Sequence, residues 1–85
     1  MENYKREILK KICYTELVYD RINKKLNFQF SKEEIENFVF KTIEMTDSSN
    51  FNKVGKNIYI TNASMKIRLT INSFTYRIIT ADKLS

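Results

Sequence analysis

Residues 57–82 read NIYITNASMKIRLTINSFTYRIITAD, and the alternation within this stretch decides the fold. Side chains of an extended strand point to opposite faces in turn, so apolar positions two apart share a face. Ile58 and Ile60, then Ile67, Leu69 and Ile71, then Tyr76, Ile78 and Thr80 fall on one side. Tyr59, Thr61, Lys66, Arg68, Thr70, Asn72 and Arg77 fall on the other. The spacing predicts a three-stranded antiparallel meander over about residues 57–82. With Asn62-Ala63-Ser64-Met65 as the first turn, Thr61 faces Lys66, Tyr59 faces Arg68 and Asn57 faces Thr70. With Ser73-Phe74 as the second, Asn72 faces Thr75, Thr70 faces Arg77 and Leu69 faces Ile78. A slip of one residue would turn a whole apolar set to water, which specifies the faces strongly. Ser-Phe is a poor pair for a two-residue hairpin, so the second turn is the weaker assignment.

One apolar sheet face needs a cover, and the first half of the chain supplies it. Tyr4, Ile8 and Ile12 recur every four residues, with Leu9 beside them and Lys and Arg on the outer side. Thr15 reads as an N-cap, with Tyr14 and Tyr19 placed for a hydrophobic staple. Val18, Ile22 and Leu26 continue the stripe, so residues 3–26 form either one bent helix or two. Ser31 and Glu34 make a capping box, flanked by Phe30 and Ile35 as a staple. Ile35, Phe38, Val39, Thr42 and Ile43 form the buried stripe of that helix, which ends near Met45 before the polar run of residues 46–50. Gly55 is the sole glycine, and a positive-φ position just before the first strand is its expected task. The expected architecture is a single α+β domain, residues 1–85. Two or three N-terminal helices, about residues 3–46, pack on one face of the C-terminal meander.

Composition excludes several classes of function. A hydrophobic content of 42% over 85 residues suits one small globular domain and rules out a disordered chain. No apolar run approaches the roughly 20 residues that cross a bilayer, and no secretory leader precedes the first helix. A cytoplasmic protein with no membrane partner is expected. Cys13 is the single cysteine and histidine is absent. An intrachain disulfide is therefore impossible, and the usual general base and commonest metal ligand are missing. No cofactor, metal or enzymatic activity is expected.

The net charge of +5 is uneven: +3 over residues 1–30, −3 over 31–50 and +5 over 51–85. A basic sheet beside an acidic helix suits a defined acidic partner. A chain rich in Lys, Asn, Ile and Phe also fits an AT-rich genome, which raises lysine for reasons unrelated to function. The three-helix-then-sheet order invites a winged-helix reading. Its recognition helix would open Lys32-Glu33-Glu34, with Glu36 following, and those carboxylates oppose phosphate contact. Gly55-Lys56-Asn57 lacks the other residues of a phosphate loop and reads as a turn.

The best candidate binding surface is the face carrying Tyr59, Thr61, Lys66, Arg68, Thr70, Asn72 and Arg77. Arginine forks take carboxylate or phosphate in bidentate fashion, and Thr and Tyr hydroxyls add hydrogen bonds. The alternative is a solvated face whose charges discourage aggregation. Tyr59 with Phe74 is thin for a base-stacking platform. Phe74, Ile79 and an open edge along residues 75–81 suggest a homodimer contact.

Residues 12–18 (ICYTELV), 21–26 (RINKKL), 55–57 (GKN), Thr61-Asn62, 67–73 (IRLTINS) and 76–82 (YRIITAD) resemble a family of small bacterial and phage proteins known as a domain of unknown function. The resemblance covers nearly the whole chain and implies a stand-alone domain of low-GC bacteria or their mobile elements. It implies no activity. It marks Arg68, Thr70, Asn72, Arg77 and Asp82 as residues to watch. The expected function is a non-enzymatic binding or regulatory protein that docks a basic sheet face on an acidic macromolecular partner. A protein is the preferred partner, such as a nucleic-acid enzyme or defence nuclease that it would inhibit. Direct binding of RNA or single-stranded DNA is the first alternative. A small phosphorylated ligand at Arg68 and Arg77 is the second.

Overall fold

A computed structural model describes residues 4–84, so the start of the expected helical part, at residue 3, lies outside the described residues. The first apolar stripe forms two helices, α1 (Tyr4–Lys11) and α2 (Glu16–Leu26). Between them the chain is extended, and Thr15 is the N-cap of α2 by its backbone angles, although its side chain makes no capping bond. The expected staple is present: the Tyr14 and Tyr19 rings stack at 5.6 Å. α2 stops at Asn27, whose left-handed φ of 59° lets its N–H reach the Asn23 carbonyl. α3 (Lys32–Glu44) opens with the full Ser31/Glu34 capping box and ends at Met45, as its sequence signals predict.

The sheet has four strands rather than three. β1 (Phe51–Val54), β2 (Asn57–Asn62), β3 (Ile67–Asn72) and β4 (Ile78–Lys83) lie in chain order, all antiparallel. β1 escapes the sequence because only Phe51 of its four residues is buried. Gly55 has φ 62°, but it is the first central residue of the two-residue β1–β2 turn, as a type II′ hairpin requires.

Both expected registers are corrected. On β2 and β3, Thr61 faces Arg68, Tyr59 faces Thr70 and Asn57 faces Asn72, a slip of two residues that keeps every side chain on its expected face. The cause is Asn62. It ends the strand instead of opening the turn, because its amide donates to Thr46 Oγ1 at 3.0 Å and accepts from Met65 N at 2.9 Å. The turn is residues 63–66, closed by Lys66 at φ 57°. The β3–β4 turn is also longer than expected. Asn72 Oδ1 accepts the N–H groups of Phe74 and Thr75, Tyr76 turns left-handed at φ 59°, and Asn72 N donates to Arg77 O.

A bulge then changes the faces of β4. Ile71 pairs with Ile78 but Thr70 with Thr80, leaving Ile79 as the extra residue. Leu69 consequently faces Ala81, which is fully buried, and Thr80 moves to the outer face beside Thr70. Ile8, Val18, Ile22, Leu26, Ile35, Val39 and Ile43 of the helices join Phe51, Ile58, Ile60, Ile67, Leu69, Ile71, Ile78 and Ala81 in one core. Tyr76 packs against it only in part. Burying a Leu or Ile contributes about 1.5–3 kcal/mol, so the sheet depends on its helical cover.

The edge of β4, expected to be open over residues 75–81, is covered at its start. Cys13 N donates to Tyr76 O at 3.0 Å and Ile78 N donates to Cys13 O at 3.1 Å, a parallel bridge from the α1–α2 connection. Arg21 of α2 reaches the Ile79 carbonyl at 3.5 Å. β1 and β4 are the two edge strands of the sheet, and the bridge covers only the start of β4. Among the described residues no helix is long and apolar enough to cross a membrane.

Candidate binding surface

Because the helical side chains gather with one face of the sheet, the other face carries polar groups in cross-strand rows. Asn52, Tyr59, Thr70 and Thr80 form one row, and Thr61, Arg68 and Asp82 form the next. The Arg68 guanidinium carbon sits 5.8 Å from the Tyr59 ring centroid, a cation–π contact that orients the fork without neutralising it. Thr70 is 5% exposed and lies between Tyr59 and Thr80 in the middle of its row. Asn57 Oδ1 and Thr80 Oγ1, both on this face, are shielded and have no hydrogen-bond partner among the described residues.

The charges on the face are unequal partners. Asp82 stands opposite Arg68 across β3 and β4, yet its Oδ1 is 3.0 Å from Lys25 Nζ on α2. Arg68 has no ion pair among the described residues. An exposed guanidinium backed by an aromatic ring and flanked by hydroxyls can take a carboxylate or phosphate in two parallel hydrogen bonds.

Of the seven residues expected to form the surface, four come together: Tyr59, Thr61, Arg68 and Thr70. Lys66 is exposed in the turn two residues before Arg68, and its backbone carbonyl accepts from Leu84 N. Asn72 is engaged in its own turn, where its side-chain oxygen accepts two backbone N–H groups. Arg77 does not join Arg68. It stands across from Asn72, four residues along β3 from Arg68, roughly 13 Å at the usual strand rise. The two arginines therefore do not form one phosphate site.

Arg77 instead faces α2. It lines a groove of about 230 Å³ with Leu17, Val18, Arg21 and Ile79. Sequence reading passes over this groove, since Leu17 and Arg21 look like ordinary solvent-facing helix positions. Their i, i+4 spacing is the one signal that they share a face.

Elsewhere, hydroxyl chemistry ties the helices together. Tyr19 donates to Glu36 Oε2 at 2.6 Å, and burial with that carboxylate pushes the Tyr19 hydroxyl up to about 12. Burial pushes the neighbouring Tyr14 hydroxyl up as well, with Glu36 adding to it.

Residues 6–82 match the model of a family described as a protein of unknown function (DUF3781), and the chain belongs to that family. No curated protein and no solved structure matches it.

Proposed function

We propose that this DUF3781 member is a non-enzymatic binding protein that docks the outer face of its sheet on an acidic surface of a protein partner. The observation that carries this reading is Arg68: exposed, held on the Tyr59 ring, and left without a carboxylate because Lys25 takes Asp82. Thr61 beside it supplies a hydroxyl, Thr70 packs beneath the row, and Lys66 adds an exposed cation just before the strand. Desolvating an unpaired arginine is costly, which favours a partner that presents its own carboxylate in a fixed place, as folded protein surfaces do. Among the described residues the cross-strand rows of this face hold one aromatic, Tyr59, already in contact with Arg68, whereas single-stranded nucleic acid is held by successive stacked bases. A domain of this size would regulate its partner by occupying a site, as an inhibitor of a nucleic-acid enzyme or defence nuclease from a mobile element would.

The test is affinity capture with and without nuclease treatment, followed by calorimetry on the recovered partner. Arg68→Ala should weaken binding at least tenfold with an unchanged circular dichroism spectrum, and Lys10→Ala on α1 should change it little. Loss of the partner on nuclease treatment, with a salt slope of about 0.7–0.9 per phosphate, would move the reading to nucleic acid. Equal effects of the two substitutions would reduce it to diffuse charge attraction.

A further inference from the structure

The groove between α2 and the start of β4 is a second recognition surface on a different part of the molecule. Its floor is apolar: Val18 and Ile78 are 3% and 2% exposed. Leu17 stands on its rim with 75% of its surface exposed, and the bulged Ile79 lines the opposite wall. Arg21 and Arg77 bracket it, and no carboxylate lines this part. The nearest acidic residue of the α2 first turn, Glu16, is drawn away to Lys32. Arg21 makes a hydrogen bond, at 3.5 Å, to the Ile79 carbonyl across the groove, and its exposed guanidinium has further N–H donors. Further along α2 the surface continues past Lys24 and Lys25, with Asp20 among them.

Two demands follow for an occupant. Leu17 and Ile79 call for an apolar side chain, because an exposed apolar rim beside an apolar floor gains by losing water. Arg21 and Arg77 call for carboxylates on either side of that side chain. A lone phosphate would leave Leu17 in water. A nucleic-acid strand would find no aromatic ring among the lining residues. The geometry points to an acidic linear protein segment, an apolar residue flanked by Asp or Glu, as the ligand of this groove. This goes beyond docking by the outer sheet face, and the two surfaces use different arginines.

The probe is the synthetic peptide acetyl-Asp-Glu-Leu-Glu-Asp-amide, titrated into the ¹⁵N-labelled protein and followed by amide chemical shifts. The expected result is saturable shifts confined to residues 15–21 and 77–79. Replacing the peptide Leu by Ser should weaken binding about tenfold or more, the loss expected for one buried leucine side chain. Arg77→Ala and Leu17→Ala, both exposed positions, should each weaken it about fivefold or more, and Arg68→Ala should leave it unchanged. Absence of saturable shifts, equal affinity for the Ser peptide, or a loss on Arg68→Ala as large as on Arg77→Ala would each overturn the proposal. Because Arg68 tests the outer face and Arg77 tests the groove, either surface can fail alone.

Discussion

Asp82 lies directly across the sheet from Arg68, yet its carboxylate is 3.0 Å from Lys25 of α2 and leaves the arginine unpaired. A helix residue thus sets the charge that the sheet presents. Had Asp82 turned to its cross-strand neighbour, the outer face would display a neutral pair in place of a cation.

Lys25→Ala should therefore act at a distance. With its partner gone, Asp82 becomes free to approach Arg68, and affinity for an acidic partner should fall a few-fold although Lys25 lies on α2. Asp82→Asn should raise that affinity. The exposed pair itself contributes only about 0–1 kcal/mol, so thermal unfolding of both variants should stay close to that of the parent. Calorimetry alongside a thermal melt checks both halves.

Leu69→Ala should destabilise the fold by about 2–5 kcal/mol, since Leu69 is fully buried among Ile60, Ala81 and the helices. Thr70→Ala, one residue on and facing outward, should cost clearly less, because it removes a methyl and a hydroxyl from a row that can close over them. Urea titration ranks the two. A reversed ranking would mean that the strand faces are misassigned.

Asn62→Ala should cost about 1–3 kcal/mol. It removes the acceptor for Met65 N and the donor to Thr46 Oγ1, and Thr46 is 2% exposed with its hydroxyl already given to the Thr42 carbonyl. Asn62→Asp at neutral pH should cost more, since a carboxylate oxygen would meet an oxygen that needs a donor. Denaturant midpoints of the two variants test the order.

Stability should fall as pH rises through about 10 to 12. Tyr19 keeps its proton up to about 12 in the folded protein, and Tyr14 is also raised, whereas an unfolded tyrosine releases it near 10. In that window the unfolded state binds fewer protons than the native state, so the unfolding free energy declines with pH. The contribution is fully present below about 10. Tyr19→Phe should flatten the alkaline slope measured by denaturant titration, and a slope unchanged by Tyr19→Phe would show that the hydroxyl titrates normally.

Which residues face the core was legible from period-two alternation for β2 and β3, the Ser31/Glu34 capping box placed the start of α3, and the polar run of residues 46–50 placed its end. Register was not, because alternation is blind to a shift of two: Tyr59 opposite Arg68 and Tyr59 opposite Thr70 satisfy it equally. What chose between them was the side chain of Asn62, which bonds to Thr46 sixteen residues earlier, a long-range contact that no local pattern carries. The β4 bulge at Ile79 was hidden for a related reason. Ile78-Ile79 offers two apolar residues in a row, and the choice of which turns inward depends on the αL turn at Tyr76 just before it. For the same reasons the sequence brought Arg68 and Arg77 together on paper, while the longer turn and the bulge send Arg77 to α2.

The backbone bridge from Cys13 to the start of β4 has a consequence for synthesis. The Cys13 thiol touches the carbonyl of Thr75, 62 residues later, and the Cys13 main chain bonds to Tyr76 and Ile78 on either side of Arg77. As the chain grows from a ribosome, the joint between α1 and α2 has nothing to dock on until residue 78 has emerged. Val18, Ile22 and Leu26 must wait as well, because α2 packs mainly on β4, the last strand to emerge. Closure of the core is thereby deferred to the last strand, so a chain interrupted before residue 78 would leave the apolar face of α2 uncovered and be a substrate for chaperones or proteases.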